Sequence, residues 1–228
     1  MDFVAINKLS LLDYPNKVSC ILFTRTCNFR CPFCHNGLTL LQDYKTKVSF
    51  DEIISFLKKR QGILDGVVIS GGEPTLMDDL ADKIRIIKEL GFAVKLDTNG
   101  TNPDVLLDLL EEGLIDYVAM DIKNSLEKYE MTAGAKVNLD KIQRSIEILK
   151  NSGIEYEFRT TLIEELHTKN DMHAIGKLLE GAPNLYLQKF QISDGVINKN
   201  LHPVDEDLAN SFVDILSQYI DNVELRGY

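Results

Sequence analysis

Short β-branched runs alternate with longer amphipathic stretches along this chain of 228 residues, and this alternation limits the possible folds more than any other feature. A repeated strand-then-helix pattern is typical of βα units around a parallel sheet. The sequence therefore predicts the α/β class. Six strands are predicted, at Lys17 to Thr24, Gly66 to Ser70, Ala93 to Asp97, Tyr117 to Ile122, Tyr156 to Leu162 and Leu185 to Ile192.

The helices predicted between these strands carry start signals. Ser49 and Glu52 form a capping box ahead of an apolar run, and Asn102-Pro103 supplies a cap followed by a first-turn proline. Six helices are predicted, at Asp51 to Gln61, Asp78 to Leu90, Asp104 to Glu112, Asn138 to Ser152, Asp171 to Glu180 and Asp205 to Tyr219.

Parallel strands joined by helices close toward a barrel whose working face lies at the carboxyl ends of the strands. Six βα units fit this length better than the eight of a full barrel. We therefore expect a partial (β/α)6 barrel with outer helices, forming one domain over residues 1–228. Polar clusters follow four of the predicted strands and are expected on one rim, at residues 27–35, 70–75, 97–100 and 121–123.

Three of the four cysteines lie on the loop after the first predicted strand, at Cys27, Cys31 and Cys34. The spacing C-x3-C-x2-C provides three thiolates for one iron-sulfur cube and leaves its fourth iron without a protein ligand. Because an open iron can bind a small molecule, the loop predicts a reaction centre and not only an electron relay. Cys20 lies in an apolar run and is predicted to be a small core side chain.

Three other interpretations of the cysteine loop remain open. Cys31 and Cys34 match a thioredoxin-like redox pair, and the same run with His35 matches a haem-attachment pattern, but both leave Cys27 unexplained. Haem attachment also requires export, and the first residues lack the charged-then-apolar layout of a signal peptide. The third interpretation is a structural zinc ion held by the three cysteines and His35, although adjacent side chains rarely converge on one tetrahedral ion.

Composition and charge narrow the classes of binding partner and the cellular compartment that we expect. The formal net charge is −10 and no basic patch stands out, which argues against nucleic-acid binding. No apolar run approaches the roughly 18 residues needed to cross a bilayer, so no membrane span is expected. Cysteines in a chain without an export signal are typical of a reducing compartment, and we predict the cytoplasm.

The run Cys27-Asn-Phe-Arg-Cys31-Pro-Phe-Cys34 resembles the signature of the radical S-adenosylmethionine (SAM) enzymes. The resemblance implies a 4Fe-4S cluster ligated by the three cysteines, whose open iron chelates the amino and carboxylate groups of the methionine part of SAM. Phe33 would then pack near the adenine. The turn Gly71-Gly72-Glu73-Pro74 resembles the segment that holds the cofactor's amino group, and its glycines would let the backbone approach a ligand closely.

Two further segments resemble those of the glycyl-radical-enzyme activases, a branch of the same family. By this resemblance, Asp97, Thr98 and Asp121 are candidate ligands of a monovalent cation beside the cofactor's carboxylate, and Lys123 is a partner of that carboxylate. Alternation along a strand places Asp121 and Lys123 on the same side. If that side is buried, their charges must be compensated by one another or by a ligand.

Three more residues complete the predicted cofactor site. Arg159 resembles a cofactor-side arginine, with a salt bridge on the rim as the alternative. Asn99 lies in a segment whose alternative role is a strand-ending turn with local hydrogen bonds. Gln191 stands where the pyruvate formate-lyase activating enzymes carry a histidine, and a glutamine can bond a ribose hydroxyl but cannot titrate near neutrality. The remaining histidines, His167, His173 and His202, are predicted to be surface residues.

Additional runs resemble the anaerobic ribonucleoside-triphosphate reductase activating proteins over nearly the whole chain, at residues 12–17, 34–36, 96–100, 117–123, 158–161 and 225–227. The resemblance implies an oxidoreductase that cleaves SAM reductively and uses the 5′-deoxyadenosyl radical to take hydrogen from a glycine of the reductase. No protein residue is expected to be catalytic, since the cofactor carries the radical. An electron donor such as flavodoxin or ferredoxin is implied as a second partner.

Two alternatives to this function stay open. The same chemistry could act on another glycyl-radical enzyme, of the pyruvate formate-lyase type, or on a small molecule, because the motif residues describe the cofactor and not the substrate. The alternative of another class is a non-catalytic iron-sulfur or zinc-binding protein, which would not bind SAM.

Overall fold

A computed structural model describes residues 3–37 and 48–228 of the chain. The chain divides into two compact units. The first unit comprises residues 1–28, 39–98 and 102–119, and the second comprises residues 29–38, 99–101 and 120–228. The boundary at residue 28 falls inside the cysteine loop, so Cys27 belongs to the first unit and Cys31 and Cys34 to the second.

The first unit contains four complete strands, β1 (Ala5–Ser10), β2 (Ser19–Thr24), β3 (Gly66–Gly71) and β4 (Ala93–Thr98). Strand β1 runs antiparallel to β2, whereas β2, β3 and β4 pair in parallel. Thr24 pairs with Gly71, so the carboxyl ends of β2 and β3 lie side by side. A fifth strand, β5 (Tyr117–Asp121), begins in this unit and ends in the second.

Three helices connect these strands, α1 (Phe50–Lys58), α2 (Leu80–Glu89) and α3 (Pro103–Glu111). The capping box at the start of α1 is confirmed, since the Ser49 hydroxyl accepts a hydrogen bond from the Glu52 backbone and the Glu52 carboxylate accepts one from the Ser49 backbone. Asn102 stands at the cap position of α3 without capping it. Its side-chain amide instead donates to the Thr75 hydroxyl at 2.9 Å, which ties the start of α3 to the turn after β3.

The core of the first unit surrounds β3. Val67, Val68 and Ile69 are all fully buried, as expected for a parallel strand covered on both faces. On one side the rings of Tyr14 and Tyr117 lie 5.9 Å apart against Val68.

The second unit contains the parallel strands β6 (Glu155–Leu162), β7 (Asn184–Lys189) and β8 (Asn222–Arg226). Its helices are α4 (Tyr129–Ala133), α5 (Leu139–Lys150), α6 (Lys169–Leu178) and α7 (Glu206–Leu216). Phe158, Leu185 and Leu187 are fully buried in its core. These strands deliver the side chains of Arg159 and of residues 188–191 to the candidate site.

The predicted α/β class with parallel strands and intervening helices is confirmed. All six predicted strands and six predicted helices are present, although β7 ends at Lys189 and not at Ile192. Strands β1 and β8 and the short helix α4 were not predicted. Half of β1 is exposed and no residue of β8 is fully buried, so neither strand carries the apolar run by which the others were identified. Within the described residues, no helix is long and apolar enough to cross a membrane.

Candidate functional site

The cysteine loop follows β2 directly. Cys31 is buried, whereas Cys27 and Cys34 are half-buried, and none of the three forms a disulfide. In the second unit the backbone N–H of Cys34 donates to the carbonyl of Cys31 at 3.0 Å, which closes a turn through Pro32 and Phe33. A turn of this kind brings its first and fourth Cα atoms within about 7 Å of each other. Two of the three predicted cluster ligands are therefore neighbours on one tight turn.

Two glycines of the second unit hold this loop by close backbone contact. A Cβ atom on Gly134 would lie 2.2 Å from the carbonyl oxygen of Arg30, and one on Gly195 would lie 2.1 Å from that of His35. Backbone hydrogen bonds accompany these contacts, from Arg30 to the carbonyl of Ala133 at 2.9 Å and from Asn198 to that of Pro32 at 2.8 Å. These contacts could not be predicted from the sequence, because a glycine required by a distant neighbour looks like any loop glycine.

In the second unit, the charged side chains of Lys123 and Arg30 lie near the Cys34 thiol. Burial raises the pKa of the Cys34 thiol, and the nearby Lys123 and Arg30 oppose that rise. The Lys123 ammonium also lies 6.0 Å from the centre of the Phe33 ring, within cation–π range. Phe33 is buried. The positive charge near this turn therefore offsets only part of the effect of burial on the Cys34 thiol.

The turn at residues 71–75 packs against the strand end that leads into the cysteine loop. The backbone N–H of Gly72 donates to the Thr24 carbonyl at 2.9 Å, and that of Glu73 donates to the Thr26 carbonyl at 2.7 Å. A Cβ atom on Gly72 would lie 2.2 Å from the Thr26 oxygen, and Gly71 has a φ of +108°. Both glycines are thus required by contact with residues 24–26 of the same unit, a reason that the sequence did not reveal.

Glu73 is the buried acceptor of this turn, with 1% of its surface exposed. Its Oε1 atom accepts hydrogen bonds from the Thr75 backbone at 3.1 Å, from the Thr75 hydroxyl at 2.5 Å and from the Thr98 hydroxyl at 2.8 Å. Two of the predicted site residues, Glu73 and Thr98, are therefore in direct contact. The hydroxyl donors fix the carboxylate at the end of β3.

Both oxygens of the Asp97 carboxylate accept hydrogen bonds. Lys95 Nζ lies 2.6 Å from Oδ1, and the Ser70 hydroxyl donates to Oδ2 at 2.8 Å. Asn99 belongs to the second unit, and its side-chain oxygen accepts from the backbone and hydroxyl of Thr101 at 3.1 and 2.7 Å. The local turn predicted for this segment is therefore present, and Asn99 is held rigidly within it.

Asp121, Lys123 and Arg159 form a charged triad in the second unit. Asp121 accepts from Lys123 Nζ at 3.0 Å and from Arg159 Nε at 2.9 Å. Burial opposes the charge of Asp121, but Arg159 and Lys123 outweigh it and lower its pKa to about 2. Burial likewise opposes the charge of Lys123, and Asp121 outweighs it and raises the Lys123 pKa above its ordinary value. The sequence allowed compensation by one another or by a ligand; the structure pairs these side chains with one another, and the three sum to one positive charge.

Side chains distant in sequence hold the backbone that carries this triad. The Thr160 hydroxyl donates to the carbonyl of Ile122 at 2.9 Å, and His167 Nε2 lies 3.0 Å from the carbonyl of Lys123. His167 Nδ1 accepts from the backbone N–H of Ile163 at 3.1 Å. The prediction that His167 lies at the surface is wrong, because only 2% of the residue is exposed. Its burial also lowers its pKa.

The last predicted residue, Gln191, is exposed and lines a cavity of about 370 Å³ in the second unit. His35, which directly follows Cys34, lines the same cavity. The His35 imidazole is 3.3 Å from the Ser193 hydroxyl, and its ring centre is 5.9 Å from that of Phe190. The cavity is completed by Thr161, Gln188, Lys189, Arg226 and Gly227.

The donor set of the loop fits a 4Fe-4S cluster. Iron-sulfur clusters take cysteine thiolates, and the loop offers three cysteines outside any disulfide within eight residues of sequence. Among residues 3–37 and 48–228, no three His, Cys, Asp or Glu side chains are grouped closely enough to hold a metal ion by themselves. The assignment of the cluster to Cys27, Cys31 and Cys34 therefore depends on their chemistry and spacing, and on the comparisons that follow.

An α/β fold in which β2 leads into a loop of three cysteines is compatible with an iron-sulfur protein. The model of the Radical SAM superfamily matches residues 21–175. The chain belongs to the radical SAM superfamily and is an enzyme of that type. Membership implies a 4Fe-4S cluster and SAM as the cofactors.

Two named proteins match this chain over most of its length. A Methanocaldococcus jannaschii protein named "Putative glycyl-radical enzyme activating enzyme MJ1227" is 36% identical, and the match covers 96% of this chain and 92% of that protein. The pyruvate formate-lyase-activating enzyme of Clostridium pasteurianum is 25% identical over 79% of this chain and 77% of its own length.

A solved structure confirms the predicted fold class. The crystal structure of a domain of pyruvate-formate lyase-activating enzyme from Bacteroides vulgatus matches with a TM-score of 0.54 and 19% identity. The match covers 71% of this chain and 99% of that domain. At this identity the similarity establishes the fold alone.

Proposed function

We propose that this protein is a radical SAM activase that installs a glycyl radical on anaerobic ribonucleoside-triphosphate reductase. The observation that carries the activase role is the 36% identity to the Methanocaldococcus jannaschii protein, whose name gives that role, over nearly the full length of both chains. The choice of reductase is supported by the motif resemblance of residues 96–100, 117–123 and 225–227.

In the proposed cofactor site, the residues predicted by resemblance are assigned to different parts of SAM. Cys27, Cys31 and Cys34 hold the cluster. Glu73, held between two threonine hydroxyls, receives the amino group, and the backbone of Gly71 and Gly72 fixes its position. The net positive charge of Lys123, Arg159 and Asp121 suits the carboxylate of the methionine part. Phe33, Asn99 and Gln191 are assigned to the adenosyl part.

When bound, the reduced cluster and the sulfonium supply the one-electron chemistry that generates a 5′-deoxyadenosyl radical, which removes a hydrogen atom from the target glycine. The protein's own contribution is to orient the cofactor and to exclude water. We place the whole chain, as a single radical SAM domain, in the cytoplasm, with flavodoxin or ferredoxin as the electron donor and with no membrane or nucleic-acid partner.

The test is made without oxygen. The reconstituted, reduced protein is mixed with SAM and with the reductase of the same source, and the electron paramagnetic resonance (EPR) spectrum is recorded. The proposal predicts a glycyl doublet that requires all three components and that is lost when the radical-bearing glycine of the reductase is replaced by alanine.

Two control reactions separate the parts of the proposal. A doublet formed only with a pyruvate formate-lyase type enzyme would keep the activase role and overturn the choice of reductase. Formation of 5′-deoxyadenosine without a doublet on either protein would point to a small-molecule substrate. A protein that binds iron and sulfide but neither binds nor cleaves SAM would be a non-catalytic iron-sulfur protein, which would overturn the proposal entirely.

A further inference from the structure

Lys95 and Asp97 form an ion pair on β4 that lies within the predicted cofactor site. The two residues are two positions apart, so the strand places them on the same side. Lys95 Nζ lies 2.6 Å from Asp97 Oδ1, and only 2% of the lysine side chain is exposed. The ammonium is also 5.8 Å from the centre of the Tyr117 ring. A lysine this buried is charged only because a carboxylate and an aromatic face compensate it.

The other oxygen of Asp97 is engaged as well, because the Ser70 hydroxyl donates to Oδ2 at 2.8 Å. The next residue, Thr98, directs its hydroxyl proton to Glu73. In the second unit, the two oxygens of Asp121 accept from Lys123 and Arg159. The side chains that resemblance assigns to a monovalent cation, Asp97, Thr98 and Asp121, thus each have a hydrogen-bond partner in the protein. For Asp97 and Asp121 the partners include a cationic side chain.

We propose that the ammonium of Lys95 supplies, at Asp97, the positive charge that a bound monovalent metal ion would otherwise supply. The lysine ammonium is a compact charge of +1 at hydrogen-bond distance from the carboxylate oxygen. A metal ion on the same carboxylate would be repelled by this ammonium at close range. The protein therefore binds and cleaves SAM without a requirement for Na⁺ or K⁺. The inference rests on the proposed place of Asp97 beside the cofactor.

The first experiment compares salts at constant ionic strength. SAM affinity and the rate of 5′-deoxyadenosine formation are measured for the reconstituted protein in choline chloride and in potassium or sodium chloride. The wild-type protein is expected to change by less than about twofold in either quantity. A loss of tenfold or more when both metal ions are withheld would overturn the proposal.

The second experiment removes the positive charge beside Asp97. Lys95→Met keeps the length of the side chain but leaves Asp97 without its ammonium. In choline chloride the variant is expected to bind SAM at least about tenfold more weakly than the wild type, and potassium or sodium should restore most of that affinity with a saturable dependence. Equal affinity in choline, or a loss that neither metal ion repairs, would overturn the proposal.

A third measurement needs neither cluster nor SAM. In the apo-protein, potassium should raise the thermal midpoint of Lys95→Met by at least about 2 °C relative to choline, because it returns a positive charge to Asp97. The wild type should show no such difference. Lys83→Met is the matched control, since Lys83 is another buried lysine of the first unit, paired with Asp79, and its loss should destabilise without metal-ion rescue.

The apo-protein measurement also separates this inference from the proposed function. A midpoint shift in Lys95→Met without SAM binding by the wild type would confirm the exchange of ammonium for metal ion at Asp97 while overturning the cofactor role. The absence of a potassium-specific shift in a folded Lys95→Met variant would overturn the inference even if the glycyl doublet is observed.

Discussion

In the turn at residues 71–75, glycine backbone fits against residues 24–26 and threonine hydroxyls donate to one buried carboxylate, Glu73. At residues 121–123 the carboxylate of Asp121 instead lies between an ammonium and a guanidinium. The first region is held by close packing and neutral donors, and the second by charge. A buried carboxylate can thus be held in place either by close backbone packing with hydroxyl donors or by flanking cations.

The largest effect is expected from Asp121→Asn, which leaves Lys123 and Arg159 without their shared carboxylate. Breaking a largely buried ion pair by removing one partner typically costs about 3 kcal/mol or more. Urea unfolding of the apo-protein measures the loss. The control is Glu112→Gln, which removes one partner of an exposed pair with Arg85 and should cost less than about 1 kcal/mol. Similar losses for both variants would contradict a special role of charge at residues 121–123.

A smaller loss, of about 2 kcal/mol, is expected from Gly72→Ala, because the added methyl group would meet the Thr26 carbonyl oxygen at 2.2 Å. The displaced turn should also lower the iron content after reconstitution. Gly62→Ala is the control, since the added group meets no atom within 4 Å and any loss there comes from the left-handed φ of +76° that Gly72 does not share. If Gly72→Ala loads iron fully and is as stable as the control, the turn is not held by packing.

The acid limb of the stability curve offers a third comparison. The pKa of Asp121 is about 2 in the folded protein against an ordinary 3.8, so the unfolded chain binds its proton first as the pH falls. The stability that the triad provides is therefore complete above about pH 4 and is lost as the pH falls toward 2. Urea unfolding across this range should show a shallower decline for Asp121→Asn than for the wild type. Parallel declines for the two proteins would show that the pKa of Asp121 is not lowered in the folded state.

The smallest effect is expected from Thr98→Val, which removes one of the hydroxyl donors to Glu73 and keeps the shape of the side chain. A single hydrogen bond of this kind contributes about 1 kcal/mol. Thr98→Ser retains the hydroxyl and should lie closer to the wild type. The two variants are compared by urea unfolding, and an equal loss in both would assign the effect to packing of the methyl group.

The sequence predicted the features that are local. The strands with apolar runs, the capping box at Ser49, the turn after β3 and the shared side of Asp121 and Lys123 all follow from residues that are close in the chain. Periodicity and turn chemistry contain this information. The same local reasoning missed β1 and β8, which have no apolar run.

The contacts that hold the candidate site came mostly from residues far apart in the chain. Nothing around His167 indicated that it would support the carbonyl of Lys123, 44 residues earlier. The requirement for glycine at position 195 comes from the carbonyl of His35, and that at position 72 from Thr26. Such partners are set by how the strands are arranged, and a single sequence does not state them.

The central claim is that Cys27, Cys31 and Cys34 hold a 4Fe-4S cluster whose fourth iron binds SAM. The most direct measurement is Mössbauer spectroscopy of the protein reconstituted with ⁵⁷Fe, recorded without oxygen before and after SAM is added. The account predicts that the signal of one of the four irons changes on addition of SAM while the other three stay together. A spectrum that SAM leaves unchanged, or one that shows four equivalent ligated irons, would contradict it.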